Sequence, residues 1–310
     1  MIRPIIIFTI ILALGACAGS PDNTAEISEE TPFLVSYPAE NPDIYSAGDD
    51  WTLAWSDEFD GEALDENIWT RQVMLHPYNN EWQQYTGKPE TAYVEDGYMI
   101  LKAAMKGESY NKGQYTSARV ISNPGGQNGK SEAEGKTFLY GKIAARIQLP
   151  YGEGIWPAFW MLGDNISETG GDTPWPVAGE IDILEAGSKY EPDFGQGTVS
   201  GALHHDPSPG NKKKVNEFMV AGKKTLADGE FLAEEFHVYE IEWNEDEIIW
   251  FFDGNEFGRV SISEETRDEF HKEFYAIFNI AVGGHFTVQP GPQTPFPQYM
   301  YVDWVRHYTK

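Results

Sequence analysis

From Trp51 to the C-terminus, apolar and polar residues alternate with the two-residue period of a strand rather than the period of a helix. Tyr140 to Leu149 (YGKIAARIQL), Phe236 to Trp243 (FHVYEIEW), Ile248 to Phe252 (IIWFF) and Met300 to Tyr308 (MYVDWVRHY) interleave β-branched and aromatic residues with polar ones, so each is predicted to be a strand. Asp253-Gly254-Asn255 after IIWFF predicts a hairpin turn, and Asp96-Gly97 before YMILKAA marks another strand entry. The only helix the pattern supports is a short polar turn around Ser263 to Phe270. No internal repeat and no Pro/Gly/Ser-rich linker interrupts residues 51–310, which predicts one all-β domain there. Many short strands with turn punctuation point to a β-jelly roll, a sandwich of two antiparallel sheets with a concave cleft.

The N-terminal region follows a different pattern. Residues 1–16 carry a single cation, Arg3, then an apolar run and small residues. The run is too short to cross a bilayer and fits the core of an export signal. Cys17, the only cysteine, follows Leu14-Gly15-Ala16, which resembles a bacterial lipobox, where the cysteine is acylated. Cleavage near Ala16 by the ordinary signal peptidase is the alternative. With one thiol, no intramolecular disulfide can form. Residues 17–50 are polar, acidic and without sustained apolar periodicity, so they read as a tether between the anchor and the domain. Ala18 stands where an inner-membrane retention Asp often lies, so the expected place is the outer membrane of a Gram-negative bacterium, with the protein a monomer.

Charge narrows the partners. Lys and Arg total 22 against 49 Asp and Glu, a net charge of -27. Such a surface repels nucleic acid and anionic lipid. Ten Trp, sixteen Tyr and seventeen Phe are more aromatic residues than an ordinary core needs, and flat aromatic faces are what sugar rings pack against.

The densest chemistry is Gly179-Glu180-Ile181-Asp182-Ile183-Leu184-Glu185. On a regular strand, Glu180 and Asp182 share one face and Glu185 lies on the other. A single β-bulge between Asp182 and Glu185 would shift the register and bring all three acids to one face. A retaining glycosidase needs two carboxyl groups about 5 Å apart, one to attack and one to protonate the leaving oxygen. With the bulge, Glu180 and Glu185 can meet that need across a curved strand, with Asp182 orienting Glu180 and, as a like charge, helping to keep Glu185 protonated. A solvated acidic strand face would account for the same string. Apolar Ile181, Ile183 and Leu184 argue instead for a buried strand, where unpaired carboxylates are costly unless functional.

This segment, preceded by Trp156-Pro157-Ala158-Phe159-Trp160-Met161-Leu162-Gly163, resembles glycoside hydrolase family 16, in particular its laminarinase-like branch. The likeness continues through Trp55–Gly61, Asn80–Thr86, Tyr115–Arg119, Tyr140-Gly141, Ala281–Gly284 and Phe296–Val305, in order and in spacing. The resemblance implies a jelly roll and retaining hydrolysis, with Glu180 as nucleophile, Glu185 as acid/base and Asp182 as helper. It places Trp156, Trp160 and Trp175 in the cleft as stacking platforms, and Arg119, Asn80, Glu81 and His204 as sugar contacts, although core or rim roles would also explain these residues. His205 should face the other way by alternation. No cofactor is expected for catalysis. A structural calcium away from the cleft is implied at Glu58, the Gly97 carbonyl and Asp303, whose hard oxygens suit that ion. One departure stands out: His285-Phe286 follows Val-Gly-Gly where laminarinases commonly have Asn-Trp, which bears on specificity. The expected activity is endo-hydrolysis of β-1,3-glucan. Mixed-linkage glucan or an agarose-type galactan, a non-catalytic carbohydrate-binding sandwich, and transglycosylation are the alternatives.

Overall fold

The structure, a computed structural model, describes residues 37–122, 135–207, 217–263 and 265–310. The signal, Cys17 and the first part of the predicted tether lie outside these residues.

The two layers follow from strand pairing. The inner layer runs Glu217–Thr225, Thr198–His205, Glu180–Glu185, Ile155–Gly163, Phe274–Val282 and Arg119–Ile121, each antiparallel to its neighbour. The outer layer runs Thr52–Asp57, Gln298–Thr309, Gly141–Gln148, His237–Trp243, Glu247–Phe252 and Asn255–Ser261. Alternate residues of both layers meet in one core, with Phe159, Ile181 and Leu203 from the inner sheet packed in the same cluster as Ile143, Ile241 and Val305 from the outer. The four segments predicted as strands are strands. Asp253-Gly254 and Asp96-Gly97 both take positive φ, the conformation of a two-residue hairpin turn whose twist matches its flanking strands. The polar segment near Ser263 forms a 3-10 helix, Glu265–His271.

Strand Phe274–Val282 is buried along its whole length. Its even-numbered residues enter the core, while Asn279 and Ala281 line the cleft, so both faces of this strand are covered. That explains why its sequence, FYAIFNIAV, reads as nearly continuous apolar rather than alternating.

Two expectations change. Residues 37–50 are not a free tether. Asn41 exchanges side-chain hydrogen bonds with the backbone of Phe236, the Tyr45 hydroxyl donates to Glu240, and the Trp304 indole donates to Asp43 at 3.0 Å. Tyr45 also packs on the Trp304 ring with centroids 5.1 Å apart. These contacts lay the segment along the outer sheet. The calcium ligands are also engaged otherwise: Arg306 binds both oxygens of Glu58 at 2.9 and 2.8 Å, and Arg146 takes Asp303 at 2.5 Å. Two guanidinium groups seated on these carboxylates repel a dication, so Glu58 and Asp303 do not fit the calcium set expected with the Gly97 carbonyl.

The inner sheet carries a local irregularity with a dedicated support. The Trp250 indole donates 2.7 Å to the Asp182 carbonyl from the core side, and Gly201 leaves room for that ring: a Cβ there would lie 2.4 Å from Trp250. Trp250→Phe removes a buried donor and leaves the Asp182 carbonyl unsatisfied. We expect a loss of about 1–3 kcal/mol in urea denaturation, and a neutral result would remove this support.

Candidate active site

The bulge required by the sequence is present. Opposite the strand Ile155–Gly163, Phe159 faces Leu184 and Trp160 faces Asp182, which leaves Ile183 as the extra residue. On the other side the register also shifts between Asp182 and Glu185. Ile183 and Leu184 therefore both enter the core, and Glu180, Asp182 and Glu185 all line one cleft of about 960 Å³.

Each outer glutamate has an indole partner. Trp175 Nε1 donates to Glu180 at 2.9 Å, and Trp156 Nε1 donates to Glu185 at 3.1 Å. These two tryptophans were expected only as stacking faces, and the structure adds a hydrogen-bonding role. The Trp156 ring is backed by Phe286, with centroids 4.9 Å apart and planes 21° from parallel. Lys189 fixes the loop that carries Phe286, donating from Nζ to the His285 carbonyl at 2.5 Å and from its backbone N–H to Phe286 at 3.1 Å. The departure at His285-Phe286 thus buttresses the group that holds Glu185. Trp160 is held by Asn279, which accepts its indole N–H at 2.6 Å, and by the Arg119 guanidinium 5.1 Å from its ring centroid.

The remaining predicted residues divide. Arg119 is buried, pairs with Glu168 and lines the cleft. Glu81 lines it too, accepting from Gln83 at 2.5 Å and from the Tyr85 hydroxyl at 3.3 Å. His204 stands directly opposite Glu180 across the strand pair, its Nε2 3.5 Å from Glu180 and 3.5 Å from Asp182. His205 points inward to Glu269, as alternation requires. Asn80 is a correction: it is exposed, accepts from Lys112, and does not line the cleft, whereas Asn79 does. Both asparagines have positive φ, so this tight turn breaks the alternation from which their facing would be read. Asn279, Glu168, Phe218 and Tyr190 line the cleft without having been singled out, and no local motif marks them.

Burial dominates the electrostatics. It pushes the Glu180 carboxyl up to about 7, against the Trp175 hydrogen bond and the Arg119 charge, which favour the ionised form. Burial, then the Glu180 charge, pushes Glu185 up to about 7, with His204 and the Trp156 hydrogen bond opposing. Asp182 is raised well above the ordinary carboxylate range by burial and then by both glutamates. The expected role of Asp182 as the charge that keeps Glu185 protonated therefore changes: burial together with the Glu180 charge raises Glu185, and Asp182 is itself raised by both glutamates.

These shifts have a stability consequence. A carboxyl raised in the folded state binds its proton more tightly there than when unfolded, so it destabilises the fold as pH climbs from its ordinary value through about 7. Glu185→Gln should be more stable than the parent at pH 8 by on the order of 1–3 kcal/mol, a gain that shrinks as pH falls from about 7 and is gone below about pH 4.5. Thermal melts at the two pH values check it, and equal stability at pH 8 would refute the shift.

Comparison with known proteins identifies the family. Residues 51–310 match the family model described as Beta-porphyranase A-D, GH16 domain. A Beta-glucanase of Rhodothermus marinus is 36% identical over 83% of this chain and 85% of its own length. Glucan endo-1,3-beta-glucosidase A1 of Niallia circulans is 33% identical over 83% of this chain, which spans 37% of that larger protein. The laminarinase catalytic domain of Thermotoga maritima superposes with a TM-score of 0.67 at 35% identity, covering 84% of this chain and 98% of that one. With its bulged three-acid strand in a jelly-roll cleft, the chain belongs to glycoside hydrolase family 16.

Proposed function

We propose that the protein is a retaining endo-1,3-β-glucanase acting on laminarin-like polysaccharide. The observation that carries the chemistry is the bulge at Ile183, which puts Glu180 and Glu185 on one cleft face, each on an indole N–H. Glu180 attacks the anomeric carbon while Glu185 protonates the departing glycosidic oxygen. In the second step Glu185 takes a proton from water, and the oxygen of that water displaces Glu180 from the sugar. Asp182 lies between the two on the same face, where burial and both glutamates disfavour its charge. The exposed edges of Trp175 and Phe218 supply apolar area to sugar faces on the Glu180 side. The laminarinase and glucanase relatives support the substrate. A galactan of the agarose or porphyran type is the second reading, favoured by the description of the family model that matches the whole domain.

The wider setting belongs to the same proposal. Cys17 is acylated after removal of residues 1–16, and the domain works as a monomer on the outer membrane of a Gram-negative cell. In fractionated expression cells, Cys17→Ser should move the protein from the membrane to the soluble fraction. Unchanged membrane association would exclude the anchor.

Hydrolysis is tested on laminarin, lichenan, agarose and porphyran by reducing-end release. Laminarin should be cut into oligosaccharides with retained anomeric configuration, and Glu180→Gln should abolish release. Agarose or porphyran cut in preference would establish the second reading, and no release from any of the four would end the proposal. The pH profile probes the indole contacts. Trp156→Phe removes a hydrogen bond that favours ionised Glu185, so the alkaline limb of kcat/KM, which needs that acid protonated, should move to higher pH. A limb that stays put or moves down counts against the assignment of Glu185 as the acid.

A further inference from the structure

We infer that the substrate-free cleft holds a site for a divalent transition metal, with zinc the best fit, built from Glu180, Asp182 and His204, and that metal bound there blocks the enzyme. The blocking rests on the role of Glu180 under the proposed function; the binding does not. Strand pairing places Glu180 opposite His204, with Asp182 two residues along on the same face. His204 Nε2 lies 3.5 Å from a Glu180 oxygen and 3.5 Å from Asp182 Oδ2, and one donor atom from each residue falls within 4.8 Å of the others. Tetrahedral zinc with bonds of about 2.0–2.2 Å has ligand-to-ligand edges of about 3.3–3.6 Å, so the two edges at His204 already have the length the ion requires.

The atom that completes this face is available. Asp182 is 2% exposed, and among the described residues its Oδ2 accepts no hydrogen bond while lying in the cleft wall. A buried acceptor without a donor normally costs stability, and a cation would satisfy it. The donor chemistry selects the ion: one imidazole with two carboxylates suits zinc or copper, whereas calcium and magnesium take shells of oxygen alone. Three protein ligands on one wall leave the fourth position open to the cleft, where water or a sugar hydroxyl would sit. Metal there holds the Glu180 oxygen that must attack the sugar, so substrate and metal exclude each other.

Titration calorimetry with zinc chloride on the purified protein, together with hydrolysis of laminarin, tests this. One zinc site is expected in the parent and should weaken at least about tenfold in both His204→Asn and Asp182→Asn, with melting curves confirming that each variant folds. If one variant fails to fold, the other decides. Zinc should inhibit competitively, with activity restored by EDTA, and calcium at the same concentration should not inhibit. No zinc binding, or binding of unchanged affinity in the folded variants, overturns the site. Binding without inhibition overturns the blocking. A protein that hydrolyses nothing yet loses zinc affinity in the variants would leave the site standing and remove the proposed activity instead.

Discussion

One extra residue in one strand governs this active site. Ile183 turns two consecutive side chains into the core, and the register it shifts is what moves Glu185 to the side of Glu180. A bulge disrupts ladder pairing and must be held by other contacts. Here the hold comes from beneath, where the Trp250 indole reaches the Asp182 carbonyl through the space left at Gly201. The outer sheet thus supports the chemistry of the inner one: Trp250 belongs to Glu247–Phe252, on the far side of the core from the cleft. One buried hydrogen bond thus ties the bulged strand to the opposite sheet across the thickness of the sandwich.

The acids gain their function from an environment that disfavours them. Burial raises all three, and the protein opposes it with single indole hydrogen bonds on the two glutamates, the Arg119 charge at Glu180 and His204 at Glu185. A full ion pair on either glutamate would stabilise the fold but fix the carboxylate in its charged form, which ends proton transfer. An indole N–H is neutral and rigid. It aims the carboxylate and leaves its protonation adjustable, and the Phe286 stack keeps Trp156 in place for this purpose.

Much of this was legible in the sequence because sheets write their facing into alternation. The long outer strands, both hairpin turns and the need for a bulge between Asp182 and Glu185 all follow from counting residues along a pleat. Legibility ended where contacts depend on chain segments far apart. That Trp156 and Trp175 donate to the glutamates depends on how their rings turn at the end of separate elements. The arginines on Glu58 and Asp303 come from positions 248 and 157 residues away, so a ligand set inferred from resemblance could not register that its carboxylates were already taken. The choice of Asn80 rests on resemblance, and in a turn where both asparagines have positive φ it is the neighbouring Asn79 that lines the cleft.

The docking of residues 37–50 has a geometric consequence. The segment lies on the outer sheet through Asn41, Asp43 and Tyr45, so the upstream chain joins the domain at its back, opposite the cleft. The same contacts that stabilise the outer sheet therefore keep this segment clear of the concave face, whose full length stays open to a long polymer.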